Sequence, residues 1–492
     1  MIIESSDRER DLLGSTEAGG LAIRGGMLRL GGYAASVAVS LVSVPVLARH
    51  LGVEDFGRYV TVLSLITIAS MVSDVGLTLV GLREYAVRDH AGRVRLVRNL
   101  VGLRTLVSSI GAVGATVFAA AAGYGDAMVL GTALAGLGLV LTMVQQTYTI
   151  PLQGDLRLGL VTALDLARHT LAVVAILLLA LVGAGLVAFL SIPVPVGVVA
   201  LAAAALAIHR RFDVRPQFDA HEWRYLAREA LPVAIASAIG SFFYRSAIIV
   251  LSIMATAQET GYFSASFRIV EAIQMVPALL TASAFPIVAR AATNDPKRLA
   301  YSLQRLFDMA VILGAWAGLC VVLGAEPAIR FVGGPEYEPA VEVLRVQGIA
   351  LALSFLVTVW ATGLWAVRDQ RALAGANAVG VASAVLLTAA LIPGYGALGA
   401  AIGMAIAETL LAAIYAFALM RGRPHLRPEL TSVPKTLAAV AVASAAWFAP
   451  VPDLVKVALA TVLFFAVLAA LRGMPTEIAH ALRERRLGRR TA

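Results

Sequence analysis

Fourteen apolar stretches of membrane-spanning length run along this 492-residue chain, and Arg and Lys gather in every second connection between them. The stretches fall at about 27–47, 60–80, 99–121, 127–147, 160–182, 185–207, 231–254, 260–286, 304–325, 342–365, 372–392, 397–420, 434–450 and 454–471. Each lies near the ~20 apolar residues that carry a helix across a ~30 Å hydrocarbon layer. The expected fold is an all-α polytopic membrane protein with about 14 transmembrane helices.

Orientation is read from the connections, because cations near helix ends resist translocation while acids count little. Arg83, Arg88, Arg93, Arg95 and Arg98 follow the second stretch, and Arg210, Arg211, Arg215, Arg224 and Arg228 follow the sixth. Arg290, Lys297 and Arg298 follow the eighth, Arg368 and Arg371 the tenth, and Arg421, Arg423 and Arg427 the twelfth. The chain ends in a cluster from Arg483 to Arg490. The alternate turns at 124–126, 183, 257–259 and 394–396 are bare of cations, and only Arg49, Arg58 and Arg330 sit clearly on that side. Both termini and the basic loops are therefore expected in the cytoplasm, and the membrane is expected to be a bacterial inner membrane.

Composition agrees. With 59% hydrophobic and 14% charged residues and a mean hydropathy of +0.82, too little polar surface is left for a soluble globule. The net charge of +9 then describes loops facing anionic lipid, so membrane lipids rather than nucleic acid are the expected partner. Cys320 is the only cysteine, which excludes an intramolecular disulfide and speaks against a cysteine metal site. The first twenty residues are acidic and polar, and no signal peptide is read there.

The chain also looks doubled. Phe56, Gly57, Arg58 and Tyr59, between the first and second stretches, resemble Thr260, Gly261 and Tyr262, between the seventh and eighth, 204 residues later. Six stretches separate the copies, an even number, so the halves would insert in the same orientation as parallel repeats do. The organisation expected from this is a cytoplasmic tail 1–26, an N-lobe 27–208 with six spans, and a cytoplasmic linker 209–230. A C-lobe 231–420 with six spans, a terminal pair 434–471 and a basic cytoplasmic tail 472–492 complete it. The linker carries Phe218, Trp223 and Leu226 among its charges and reads as an amphipathic helix lying on the membrane face.

Several chemistries are excluded by what is missing. No lysine follows a glycine, so there is no P-loop, and no Asp-x-Asp, no Gly-x-Ser-x-Gly and no His-Glu-x-x-His is present. No cofactor or metal is expected, and the chain is not expected to be an enzyme. The exported loops are too short for a catalytic domain; the longest, about 326–340, reads as a Pro/Gly turn region with Glu336, Tyr337 and Glu338.

Polar side chains inside the stretches are informative, since a charge at the bilayer centre costs roughly 2.5–3.5 kcal/mol unless it faces protein or water. Arg29, Tyr33, Ser36, Ser40 and Ser43 share one face of the first span, and Ser237, Ser241, Arg245 and Ser252 form a stripe on the seventh. The eighth carries Ser264, Arg268 and Glu271, and the second carries Ser64, Thr67, Asp74 and Thr78. The bland reading of the Ser and Thr stripes is helix packing. Arg104 reads as a snorkelling side chain, and Asp165 and Arg168 read as a pair within one turn. Arg245 is harder to dismiss, lying fourteen residues and ~21 Å past Leu231. Arg268 enters from the other side to ~12 Å below the opposite edge, so the two guanidiniums are expected at similar depth, with Glu271 neutralising one of them.

The resemblance then becomes specific. The run Leu47-Ala-Arg-His-Leu-Gly-Val-Glu-Asp-Phe-Gly-Arg-Tyr59 and the run Glu259-Thr-Gly-Tyr-Phe-Ser-Ala-Ser-Phe-Arg-Ile-Val-Glu271 come first. Gly334-Pro-Glu-Tyr337 and Ile392-Pro-Gly-Tyr-Gly-Ala-Leu-Gly-Ala-Ala401 follow in order. Together they resemble the polysaccharide-transport flippases of the multidrug/oligosaccharidyl-lipid/polysaccharide exporter superfamily. The resemblance implies two six-helix lobes around a cavity, alternating access, and a polyprenyl-diphosphate-linked oligosaccharide as substrate, with polysaccharide polymerase or assembly proteins as partners. On that reading Arg245 and Arg268 hold the diphosphate, since Arg offers forked donors matched to phosphate oxygens. Arg29, Tyr33, Tyr244, Ser241 and Glu271 line the same cavity. One departure stands: many relatives place an acid after the Tyr-Arg of the seventh span, whereas Tyr244-Arg245 is followed by Ser246.

Two other readings stay open at the level of sequence. A cation-coupled drug antiporter of the same superfamily would want an acidic cavity, for which Asp74, Glu271 and Glu408 are available. An integral-membrane glycan-processing enzyme would want a larger exported loop with basic and His residues. Without a nucleotide site, a carrier needs a substrate or ion gradient. Glu408, about eleven residues into the twelfth span with no basic residue within a turn, is the first candidate for ion coupling, and Asp74 the second.

Overall fold

The computed structural model of the protein describes residues 18–209 and 215–473; within them the side chains of residues 18–30 and of some later positions, Tyr33 and Ser241 among them, lie outside the description. All regular structure among these residues is helical. In order these are α1 (Ala18–Val87), α2 (His90–Ala121), α3 (Asp126–Gly154), α4 (Leu158–Leu181), α5 (Leu186–Ser191), α6 (Pro193–Ile208) and α7 (Ala220–Met254). Then come α8 (Ala257–Asn294), α9 (Pro296–Leu323), α10 (Ala325–Gly333), α11 (Ala340–Ala366), α12 (Gln370–Met420), α13 (Ser432–Ala443) and α14 (Asp453–Ala470).

Two of these helices are double crossings. Gly52 in α1 has φ 72° and Gly396 in α12 has φ 54°, left-handed values open to glycine at little steric cost, so the chain reverses there with no loop. Ten runs among the described residues are long and apolar enough to cross a membrane, and Phe242–Met254 and Ser432–Phe448 are shorter apolar helices. With α1 and α12 each counted as two crossings, these make the expected fourteen. Helix starts in the polar connections follow capping rules: the side chains of Asp89, Thr256, Asp295 and Asp369 accept from the backbone N–H of Gly92, Glu259, Arg298 and Ala372. Pro296 stands at the first position of α9, where its missing donor is not needed.

The chain divides into two compact units, Met1–Leu51 with Arg58–Arg245, and Gly52–Gly57 with Ser246–Ala492. The first unit has a core of Leu77, Leu96, Leu100, Tyr148, Ile150, Val161 and Ile208, to which Leu226 and Trp223 also belong. These last two are apolar residues of the segment expected as the linker. From Ala220 on, the expected linker runs without a break into α7, as its opening turns. It is docked by hydrogen bonds and charge: Gln217 N–H donates to the Arg98 carbonyl (3.1 Å) and Asp219 N–H to Asn99 Oδ1 (3.0 Å). Arg88 pairs with Glu222 at 2.5 Å and Arg83 with Glu229 at 2.9 Å. Tyr225 donates its hydroxyl to Glu84 at 2.9 Å, which holds the phenol above its usual pKa.

The second unit relies on close backbone approach, as helices in lipid must where no hydrophobic drive separates them from the solvent. A Cβ on Gly314 would lie 2.7 Å from the Ala352 carbonyl oxygen and one on Gly318 2.8 Å from that of Gly348, so small residues let α9 and α11 touch. The terminal pair α13 and α14 packs on α9 through Ile312, Leu319, Ala439, Ala443, Ala460 and Phe464, and Trp316 Nε1 donates to Thr461 Oγ1 at 3.2 Å. The turn region expected at 326–340 is in fact largely helical: α10 is followed by a 3-10 turn over Pro335–Tyr337.

Candidate functional site

Polar groups within the described helices gather in one place in each unit, and the one in the second unit is built from the motifs that carry the resemblance. In the second unit, Gly57 and Gly261 face each other across a crossing with approximate two-fold character. A Cβ on Gly57 would overlap the Ala257 carbonyl oxygen and lie 2.7 Å from the Gly261 nitrogen; one on Gly261 would overlap the Val53 carbonyl oxygen. Val53 and Ala257, like Gly57 and Gly261, are 204 residues apart, so the repeat seen in the sequence meets itself here. The Tyr337 ring, fully buried, stands edge-on to Phe56 at 6.2 Å and to Tyr262 at 6.4 Å, and burial pushes its phenol pKa up. Glu259 accepts from the Ala397 N–H at 2.6 Å, beside Gly396. All four motifs therefore meet in one packed cluster.

In the first unit the polar gathering forms around Arg104. Its side chain is completely buried and pairs with Asp74 Oδ1 at 2.8 Å, so it does not snorkel as expected. The guanidinium also donates to Thr78 Oγ1, to Thr147 Oγ1 (3.3 Å) and to the carbonyls of Met143 (3.4 Å) and Asp74 (3.3 Å). With its amide nitrogen turned to the carboxylate, Gln146 donates to both Asp74 oxygens at 3.1 and 3.2 Å. The expectation failed because the apolar stretch begins at 99 while α2 begins at His90, which puts Arg104 fourteen residues, or ~21 Å, along the helix. A signal was present in the sequence: Asp74 and Thr78 lie one turn apart and present two acceptors on one face.

Deep charges also occur singly, on α7 in the first unit and on α8 and α12 in the second. Arg268 is half-buried eleven residues into α8, and its Nη1 donates to Glu271 at 3.0 Å. Among the described contacts this leaves the Nε and Nη2 edge of Arg268 without a hydrogen bond. Tyr244 and Arg245 are half-buried near the end of the first unit, Tyr244 standing edge-on to Phe243 at 5.2 Å, while Ser246, where relatives place an acid, is fully buried. Glu408 on α12 is buried, has no ion pair among the described residues, and leaves Oε1 without a hydrogen bond. Nearby on α12, Tyr415 donates its hydroxyl to Asn377 at 2.5 Å. The side chains of Arg29, Tyr33 and Ser241 lie outside the described residues. No cluster of three or more metal-ligating side chains occurs among the described residues.

Comparison with known proteins places these features. The sequence profile described as polysaccharide biosynthesis protein matches residues 23–292. Among curated proteins no sequence relative matches the chain. Among solved structures, the lipid II flippase MurJ in an inward closed conformation superposes with a TM-score of 0.74 at 10% identity, covering 90% of this chain and 98% of that one. An inward-facing multidrug resistance MATE family transporter of the MOP superfamily gives 0.63 at 15% identity, over 79% of this chain and 95% of that one. A MOP superfamily transporter from Pyrococcus furiosus Vc1 (DSM3638) gives 0.56 at 16% identity, over 83% of this chain and 96% of that one. At these identities the likeness is one of fold.

Proposed function

The chain belongs to the polysaccharide biosynthesis protein family, multi-pass membrane transporters in fold, and from that premise we propose that it is a flippase for a polyprenyl-diphosphate-linked oligosaccharide. It carries this substrate across the bacterial inner membrane by alternating access, for cell-surface polysaccharide synthesis, and hands it to polymerase or assembly proteins on the far side. The observation that carries the reading is Arg268: a guanidinium ~17 Å along an apolar helix, with one nitrogen bound to Glu271 and the Nε/Nη2 edge open. That edge is the two-donor fork that fits a phosphate. Arg245 supplies a second deep guanidinium, and Tyr244, Ser241, Arg29 and Tyr33 supply groups for sugar hydroxyls.

The antiporter reading draws less support. Of the acids it would use, Asp74 is taken up by Arg104 and Glu271 by Arg268. Glu408 keeps its place as first candidate for ion coupling, being buried with no ion pair among the described residues; Asp74 stays second, since it has to leave Arg104 before it can bind an ion. Flipping in vesicles is expected to lose its response to an ion gradient in Glu408→Gln. A response as large as in the wild type ends that assignment.

The test of the main proposal is glycan export per unit of inserted protein. Arg245→Ala and Arg268→Ala are each expected to abolish it, and Arg245→Lys to restore it in part, because a point charge keeps the attraction and loses the fork. If the arginines serve structure instead, the Ala variants lower the amount of folded protein and Glu271→Gln restores it. Export unchanged in both Ala variants refutes the reading. For orientation, single cysteines at Asp126, Glu338 and Asp453 in Cys320→Ala protein are expected to react with an impermeant thiol reagent on intact spheroplasts. Cysteines at Arg93, Lys297 and Arg423 are expected to stay unlabelled, and the reverse pattern overturns the arrangement.

A further inference from the structure

We propose that Arg168, on α4 of the first unit, is a further anion-binding group that takes the diphosphate of the lipid-linked substrate. The inference rests on the flippase reading and adds to it a site that neither Arg245 nor Arg268 supplies.

Arg168 lies ten residues from the start of α4 and thirteen from its end, ~15 Å and ~20 Å along the axis, near the middle of a ~30 Å layer. Snorkelling serves Arg and Lys near helix ends, and this one is too deep for it. Its surroundings do not satisfy it. The side chain is half-buried, its Nε is buried with no hydrogen-bond partner, and no hydrogen bond or salt bridge reaches the guanidinium among the described residues. Asp165, one turn away, attracts it through space without forming an ion pair. Arg104 in the same unit shows the contrast at the Nη atoms: its Nε is unpartnered too, but both its Nη are held, by Asp74, Thr78 and Thr147, whereas those of Arg168 have no partner among the described residues. A deep cation held with open donors is arranged for an anion that arrives from elsewhere.

The direction α4 faces supports this. Thr162, two turns before His169 on one face, presses against α1, where a Cβ on Gly32 would overlap its methyl group. Asp165 and His169 share that face, while Ala163, Ala167 and Thr170 on the other side are exposed. His169 Nδ1 bonds back to the Asp165 carbonyl at 2.8 Å. The side of α4 that carries Asp165 and His169 is thus the one that meets α1, which carries the polar stripe of the first unit and buries Ser36 and Ser43, and Arg168 stands half-buried on the flank of that side, off the exposed one. A mid-membrane position is reached by a substrate in transit and not by the headgroup of a resting lipid, which stays at the interface.

The experiment uses purified full-length protein and farnesyl diphosphate as a short polyprenyl diphosphate, with inorganic diphosphate, farnesol and phosphatidylglycerol as comparison ligands. Farnesyl diphosphate is expected to bind about tenfold more weakly to Arg168→Ala and to an intermediate degree to Arg168→Lys. Thermal stability is expected to be unchanged. Inorganic diphosphate should show the same dependence, farnesol should bind neither protein by this route, and phosphatidylglycerol should not discriminate between them. Asp165→Asn is expected to tighten farnesyl diphosphate binding, because it removes the acid that competes for the guanidinium. Equal farnesyl diphosphate affinity in the wild type and Arg168→Ala overturns the inference and leaves the flippase reading standing. No binding by the wild type removes both. An effect on phosphatidylglycerol equal to that on farnesyl diphosphate assigns the group to membrane phospholipid instead. Loss of folded Arg168→Ala protein with rescue by Asp165→Asn makes the residue structural.

Discussion

Arg104→Met is expected to lose about 3 kcal/mol of stability, because it leaves the Asp74 carboxylate inside the first unit without its cation. Asp74 keeps part of its surface exposed, which places the expected loss at the lower end of the range for a broken buried pair. The second half of the result is more telling. Arg104→Met combined with Asp74→Asn should recover most of the loss, since no unpaired charge remains and Gln146 and Thr78 can still bond the amide. Reversible unfolding in mixed micelles measures both. If Arg104→Met alone is as stable as the wild type, the pair is not what holds α1, α2 and α3 in register. Export by the stable double variant would further show that Asp74 is dispensable for ion coupling.

The second large effect concerns the glycine crossing. The same change, Gly→Ala, is expected to act with opposite sign at two kinds of site. At Gly57 or Gly261 the new methyl group meets a backbone carbonyl oxygen, which a side-chain rotation cannot relieve, so α8 and the 52–57 segment must separate at a cost of roughly 1–3 kcal/mol or more. At Gly114, also helical, nothing lies within 4 Å, and Ala should stabilise by up to about 1 kcal/mol through helix propensity. Thermal unfolding of Gly57→Ala, Gly261→Ala and Gly114→Ala compares them directly. Combining Gly57→Ala with Gly261→Ala should not rescue either, because each overlap is with main chain. Stability of Gly261→Ala at or above that of Gly114→Ala would mean that the crossing is not packed as described.

The crossing also explains why the four motifs are recognisable at all. Gly57, Gly261, Tyr337 and Gly396 are fixed by backbone geometry and ring packing, requirements that admit few residue types. These motifs identify the fold and leave the substrate open. The deep charges follow a different logic. An Arg in an apolar stretch stands out in the sequence, so Arg245, Arg268 and Arg168 were all visible, but whether such a group is closed off or open depends on partners from other helices. Arg104 and Arg168 differ little by sequence neighbourhood; the Nη atoms of one are bonded by groups from α1 and α3, and the other has no hydrogen bond or ion pair among the described residues. Arg104 was misjudged because the edge of an apolar stretch is not the end of a helix, and α2 extends nine residues further back through polar sequence.

By itself the sequence determined the class of fold and its fourteen crossings, because lipid imposes a fixed length and an apolar composition on every crossing and each segment satisfies that condition locally. It also determined the internal doubling, since the two glycine motifs keep their spacing of 204 residues. The tertiary structure alone decided that the segment after Ala220 is the start of α7 docked on the first unit and that the terminal pair packs on α9. It alone decided which buried charge has a partner. Helix-to-helix contacts join residues that are far apart in the chain, and no local pattern encodes which acceptors will surround a given guanidinium. That choice is made when the helices pack.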